Sequence, residues 1–443
     1  MYRRAVQTLR EPARDTPILR KTDVLVVGGG SAGVAAAVAA ARAGARVTLA
    51  ERYGSLGGLA TGGLIVLLLS LDDGEGRPVI GGLCQEVTER LRRAGGAFHP
   101  APGEWGDDDP ARVRRYFRWG LIWGGSRAHH RVRYSVAYDP EAMRALLFEI
   151  VREAGVDLLL HAWGADALVD GDRLRGVAFQ SKAGRQAILA DVVIDATGDG
   201  DVLASAGCAF EQVRVHPWLW FRIGGVHDPE RAIDAAGQLF RTPNPGVLLA
   251  PWGSAARIGR KIDPTDPVDL TWAEVECRRM VMEQFAQLRR SVPGLEHAHL
   301  CNIATQLGIT ESRRLVGRQV LEREQMNRDA PDAIAQTGHW TRYGAVYSIP
   351  YGCLLTRERV NLLAAGRDIS VDHRVHHATK EIPACMAVGE AAGLAAVLAL
   401  DQGGDATAVD PEALRTRIRQ TGGLLDYFPG PGPGASVPAA SGL

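Results

Sequence analysis

Lysine is nearly missing from this chain. Only Lys21, Lys182, Lys261 and Lys380 occur, and arginine makes up the rest of the 51 basic side chains. The 51 acidic side chains cancel them, so the formal net charge is zero. No global field therefore draws in nucleic acid, an anionic membrane or an acidic partner, and neither nucleic acid nor membrane is expected as a partner. Cysteine is also sparse. The six residues lie far apart, with no CxxC, which argues against an iron–sulfur cluster, a structural zinc or a redox dithiol. His129 and His130 are adjacent but have no third ligand in reach, so no metal is expected. Long apolar runs are absent too. The run of large aliphatic residues Leu64–Leu69 is far below the ~20 residues that span a bilayer. The N-terminal MYRRAVQTLREPARDTP has positive charges but no apolar stretch behind them, so it is not a secretory signal. Scattered reduced thiols fit a cytoplasmic protein.

What is present is an ordinary globular composition, 46% apolar and 23% charged, on a chain long enough for two intertwined domains. Asp23 to Val27 reads as a buried parallel-sheet strand. Gly28-Gly-Gly-Ser-Ala-Gly33 follows it, and an alanine-rich helix then runs to Ala43. Gly44 stops that helix, and Arg46 to Glu51 reads as a second strand. Gly28-x-Gly30-x-x-Gly33 between strand and helix, with an acid closing the next strand, is the context a dinucleotide site requires. Gly28 allows the tight turn, Gly30 the approach of backbone to a pyrophosphate, and Gly33 close helix–strand packing. The phosphates would sit on the positive helix end. Glu51 can accept hydrogen bonds from an adenosine ribose and would repel a 2′-phosphate.

Other segments bear on which dinucleotide binds. The loop Leu56-Gly57-Gly58-Leu59-Ala60-Thr61 offers small residues and amides just beyond the ribose site, along the path of an extended FAD. Ile194 to Gly198, containing Ala196, Thr197 and Gly198, ends a strand with small residues. Leu363 to Asp368, containing Gly366, Arg367 and Asp368, does the same, and Asp368 suits ribityl hydroxyls. Gly389-Glu-Ala391-Ala392-Gly393 is read as opening the final helix, with its dipole aimed at flavin N1 and O2. Ser31, Ala32, Arg52 and Gly164 complete the expected cofactor set. Helices are expected over Leu83–Ala94, Asp139–Ala154 (Pro140 in its first turn), Trp272–Arg290, Glu311–Gln325 and Met386–Leu400. Strands are expected over Val156–Leu160, Arg175–Gln180, Ala187–Ile194 and Asn361–Ala365. Residues 96–133 carry weak periodicity and read as an excursion or lid.

The stretches GGGSAGVAAAVAAARAGARVTLAER, LGGLATGG, VVIDATGDGDVLASAG, GITESRRLVG, YSIPYG and NLLAAGRDISVDHRVHHATKEIPACMAVGEAAG together resemble the FAD-dependent oxidoreductase family. The resemblance runs in order from about Asp23 to Leu400, and the family is related to fumarate reductase flavoproteins. It implies an α/β fold: a Rossmann-like, glutathione-reductase-like FAD-binding domain with an inserted mixed α+β substrate domain. The FAD domain would comprise residues 20–95, 139–217 and 355–425. A lid would occupy 96–138, the substrate domain 218–354, and a disordered tail 426–443.

The chain departs from the family pattern near the expected substrate side. Thr310 stands where Arg is frequent, Asp368 where Cys is frequent, and Lys380 and Glu381 where Arg and an apolar residue are usual. No histidine lies in the 56–61 loop where relatives attach flavin, so FAD is expected to be non-covalent. No second GxGxxG occurs, which favours electrons entering from a small organic substrate and leaving to oxygen, quinone or a protein. The expected reaction is removal of hydride from a polar metabolite to flavin N5. The alternatives are reduction of a carbon–carbon double bond, and a flavin-carrying subunit of a larger redox complex. His373 is the candidate base, with His376 and His377 as weaker candidates. Lys380 would hold flavin O2 or a substrate carboxylate. Arg313, with Arg314, is the candidate anion fork or acid. Tyr343, Tyr347 and Tyr351 are candidate pocket residues, balanced against core packing.

Overall fold

A run of β-branched residues opens the fold, because such side chains pack well on a sheet buried on both faces. Val24 to Val27 are at most 3% exposed and form the C-terminal end of the strand Ile18–Val27. That strand pairs in parallel with Val47–Ala50 on one side and with Gly184–Asp195 on the other. Asp157–Leu159 adds in parallel at one edge, and Leu362–Ala364 pairs in parallel with the end of Gly184–Asp195. The first half of Gly184–Asp195 instead pairs antiparallel with Arg173–Ser181, which in turn pairs with Trp163–Asp170. The result is a mixed α/β molecule built on a parallel-strand sheet. The computed structural model describes residues 9–10, 12–123, 130–251 and 258–428. His129 and the expected tail from 429 onward lie outside the described residues.

Two helices pack together over this sheet. The first, Ser31–Arg42, is mostly alanine. The second, Ile382–Leu400, crosses it with Gly389 and Gly393 against the carbonyls of Ala32 and Ala36. A Cβ on either glycine would come within 2.1 or 2.2 Å of those oxygens. Ile382–Leu400 is long and apolar enough to cross a membrane, but 83% of its apolar window is buried inside the protein. No other helix among the described residues passes that test.

Beyond the parallel sheet, Phe240–Arg241, Leu248–Ala250, Phe221–Gly224 and His299–Ile303 form a four-stranded antiparallel sheet. A hairpin, Ala333–His339 with Arg342–Pro350, lies elsewhere. The 25-residue helix Pro267–Ser291 starts at an Asp266 cap, five residues ahead of the expected Trp272. Asp139 caps Pro140–Glu153 as its Asp-Pro sequence implies. The expected excursion contains the short strand Ala97–Phe98 and the helix Pro110–Phe117.

Three expectations are corrected. No helix covers Glu311–Gln325. Arg313–Leu315 is instead a strand paired with Phe210–Gln212, because a distant partner outweighs the helical preference of Glu, Arg and Leu. Trp163–Asp170 is an additional strand. The helix expected as the final one begins at Ile382 rather than Met386, which moves Gly389 from its first turn to its middle, and a further helix, Pro411–Gln420, follows it.

One buried ion pair ties the segment around Arg133 to the hairpin. Arg133 Nη2 lies 3.1 Å from Asp72 Oδ1, and both residues are at most 3% exposed. Arg133 Nη1 also donates to the Trp340 carbonyl at 2.8 Å. Asp72→Asn is expected to destabilise the fold by about 3–5 kcal/mol, because it leaves a buried guanidinium uncompensated. Urea unfolding checks this, and an unchanged midpoint would contradict it.

Candidate active site

The turn after the first strand is built too tightly for side chains. Gly28 has φ +104°, and a Cβ there would lie 2.4 Å from the Ala196 carbonyl oxygen. A Cβ on Gly33 would lie 1.7 Å from the Gly28 carbonyl. Gly30 differs, since nothing lies within 4 Å of its Cβ position. It is the N-cap of Ser31–Arg42 and offers no capping side chain, so the first-turn amides face open space. This is the geometry of an anion cradle at a helix N-terminus.

That space belongs to a cavity of about 670 Å³, within the range of small-molecule and cofactor sites. Gly28, Gly30, Ser31 and Ala32 line it, as do Glu51, Arg52, Gly57, Gly58 and Ala60. Gly164, Ala196, Thr197, Gly198 and Arg367 line it from the neighbouring strand ends. Glu51 Oε2 accepts from the Gly29 amide at 2.6 Å and Oε1 from the Tyr53 amide at 2.7 Å. Burial raises its pKa, against the pull of these two amides. Arg52 lies 5.0 Å from the ring centroids of both Tyr53 and Trp163.

Other expected residues act from behind the cavity wall. Gly33 closes the turn. Thr61 Oγ1 donates to the Leu56 carbonyl at 2.6 Å and holds the loop. A Cβ on Gly366, at φ +110°, would lie 3.0 Å from the Ala32 Cβ. Gly389 packs on the first helix, and Gly389, Ala391 and Ala392 do not line the cavity. The helix end that reaches the cavity is Lys380, Glu381 and Ile382, with Cys385 one turn on.

Asp368 does not line the cavity. It is fully buried, and neither carboxylate oxygen has a hydrogen-bond partner among the described residues. Burial, then the nearby Asp195, push its pKa well up. The fit to FAD rests instead on the cradle: the open space at Gly30, where a Cβ would meet nothing within 4 Å, beside the buried acceptor Glu51, suits a pyrophosphate and a ribose.

The remaining wall is aromatic. Trp123, Trp218, Trp220 and Trp340 all line it, and Trp123 and Trp340 meet edge to face at 5.8 Å. His377 stacks on Trp340 at 5.6 Å, and its Nδ1 accepts the indole N–H at 3.1 Å. Burial, reinforced by Lys380, lowers its pKa to about 4. The ring is therefore neutral near pH 7, with its proton on Nε2. In this arrangement His377 is a hydrogen-bond donor rather than a base.

The candidate catalytic residues separate. His373 does not line the cavity. Its side chain is 69% exposed, and Nδ1 lies 2.9 Å from Glu311 Oε2. The helical turn His376–Thr379 instead presents His377 to the cavity. His376 is buried, with Nε2 2.9 Å from the Arg367 carbonyl. Arg313 does line the cavity, but Nη1 donates to Asp201 Oδ1 at 3.0 Å and to the Asp199 carbonyl at 3.1 Å. Only Nη1 is engaged, and the buried Nε has no partner among the described residues. Arg314 is buried between Glu311 and Glu211, each at 2.8 Å. Tyr343, Tyr347 and Tyr351 do not line the cavity, and the Tyr351 hydroxyl donates to the Ala406 carbonyl. Lys380 lines it as expected, its pKa lowered by burial. Among the described residues no His, Cys, Asp or Glu grouping suits a metal. His373→Ala is accordingly expected to retain FAD and leave its reduction unchanged. A large loss of reduction rate in stopped-flow absorbance would restore His373 to the site.

Comparison with known proteins agrees with this geometry. No curated protein sequence matches the chain. Among solved structures, a geranylgeranyl bacteriochlorophyll reductase-like protein from Thermoplasma acidophilum is 13% identical with TM-score 0.46. That likeness covers 90% of this chain and 83% of the other. L-Amino acid deaminase from Proteus vulgaris is 11% identical, with 91% and 95% covered and TM-score 0.45. Glycine oxidase from Geobacillus kaustophilus is 16% identical, with 84% and 93% covered and TM-score 0.44. These likenesses carry no argument about substrate. The FAD dependent oxidoreductase family model matches residues 23–418, nearly the whole chain, and the protein belongs to the FAD-dependent oxidoreductase family.

Proposed function

We propose that this FAD-dependent oxidoreductase is a dehydrogenase or oxidase that removes hydride from a polar small metabolite. The observation that carries the reading is the division of one cavity into two chemistries. One part is the glycine cradle with Glu51. The other is an aromatic wall with Lys380, Glu381 and a neutral His377. When bound, FAD supplies the electron-pair acceptor, and the protein supplies orientation and proton handling. Lys380 offers a positive group to a substrate carboxylate or to flavin O2. His377 Nε2 donates to a substrate oxygen or nitrogen, and Trp340 holds that tautomer in place. The four tryptophans shield the site from bulk water.

The expected domains fit the same reading. Residues 218–354 contribute Trp218, Trp220, Gln306 and Trp340 to the wall, and residues 96–138 contribute Trp123. These segments serve as substrate domain and lid, and FAD is held without a covalent bond. Arg313 is tied to Asp201, so the alternative reduction of a carbon–carbon double bond would have Lys380 as its acid and would need an external electron donor. An anaerobic screen of alcohols, amines, and hydroxy and amino acids tests the proposal. Bleaching of the oxidised flavin band by one such class supports it. Bleaching by NADH or NADPH while every organic donor fails would overturn it.

A further inference from the structure

The position where relatives carry an apolar residue holds Glu381, which lines the cavity at the start of the helix Ile382–Leu400. It is the N-cap of Ile382–Leu400, but its side chain makes no capping hydrogen bond. A glutamate that does not cap its own helix, at a cavity wall, is free to act on what fills the cavity. The other titratable groups at this part of the wall are already committed. His377 has its acceptor nitrogen filled by Trp340. The Cys385 thiol donates to the Thr379 and Lys380 carbonyls, and burial pushes its pKa up to about 12. Lys380 serves as a cation. His373 lies outside the cavity on Glu311.

We propose that Glu381 is the proton acceptor of the reductive half-reaction, and that the donor is therefore an alcohol or amine carrying hydrogen on both carbon and heteroatom. This rests on the reading that an organic donor reduces the flavin. The donor's C–H and X–H bonds break and a C=X bond forms. The C–H hydrogen leaves with its electron pair for the flavin, and the X–H proton goes to a Glu381 carboxylate oxygen. The charged groups that act on Glu381 are Lys380, from the preceding residue, and Arg133, from the lid region. Burial lifts the carboxyl to about 7 against these two cations, near the value at which a group both takes and returns a proton at neutrality.

The test is the midpoint potential of the bound FAD across neutral pH, measured by equilibration with reference dyes on the holoprotein. It needs no donor. A carboxyl placed to take the substrate proton must feel the charge that enters with the electrons. The wild-type protein should therefore take up one more proton per electron pair than E381Q or E381L, the latter restoring an apolar residue. Equal pH slopes in wild type and both variants would overturn the assignment while leaving the donor reading intact. Reduction by nicotinamide with every organic donor inert would overturn both.

Discussion

Glu51→Arg is expected to leave the protein without FAD. Glu51 is 7% exposed and accepts from the amides of Gly29 and Tyr53, so it braces the phosphate turn from within. Arginine removes both acceptors and brings a permanent positive charge into a buried place beside Arg52. An uncompensated buried charge costs about 3–5 kcal/mol, and an adenosine ribose at this site loses its acceptor as well. The conservative Glu51→Gln keeps one acceptor oxygen and should weaken retention less. Absorbance of the desalted proteins reads the difference. A fully loaded Glu51→Arg protein would refute the ribose assignment.

The second large effect is expected from Gly389→Val, at a residue that touches no part of the cavity. The clash would be with the Ala32 carbonyl oxygen, 2.1 Å from the new Cβ. Overpacking of a side-chain core costs about 1–3 kcal/mol. Here backbone blocks backbone, so the two helices must separate. The first helix carries Ser31 and Ala32 at the cradle, and its displacement should lower FAD affinity together with thermal stability. Gly393→Val, against Ala36 one turn further from the cradle, should cost stability with less loss of FAD. Thermal melts and FAD titrations of the two variants check this ordering. Unchanged melting of Gly389→Val would contradict the packing account.

The contrast between these glycines shows what was legible in the sequence. Gly28, Gly33 and Glu51 were readable because their demands are local: a strand, a turn with positive φ, and a helix. Asp368 stood out in the sequence as a departure from the family pattern, but it lies fully buried behind the cavity wall. Gly389 and Gly393 were misread as a helix start. Their four-residue spacing matched that of Ala32 and Ala36, and this packing signal went unused. The 311–325 region carried helix-forming residues, yet the partner strand Phe210–Gln212 lies a hundred residues away in sequence. The base assignment failed for a similar reason. His373 and His377 differ by one helical turn, and only Trp340, from a separate hairpin, shows which of them faces the cavity. The family departure at Lys380 and Glu381 was visible in the sequence. Its consequence for the cavity was not.

The most direct test of the whole account is the visible spectrum of the purified protein under anaerobic conditions, before and after NADH or NADPH is added. The account predicts a yellow protein whose FAD is released on denaturation and which stays oxidised with either nicotinamide. A colourless protein that cannot be reconstituted with FAD would contradict the reading of the cavity. Prompt bleaching by nicotinamide would contradict the proposed direction of electron flow.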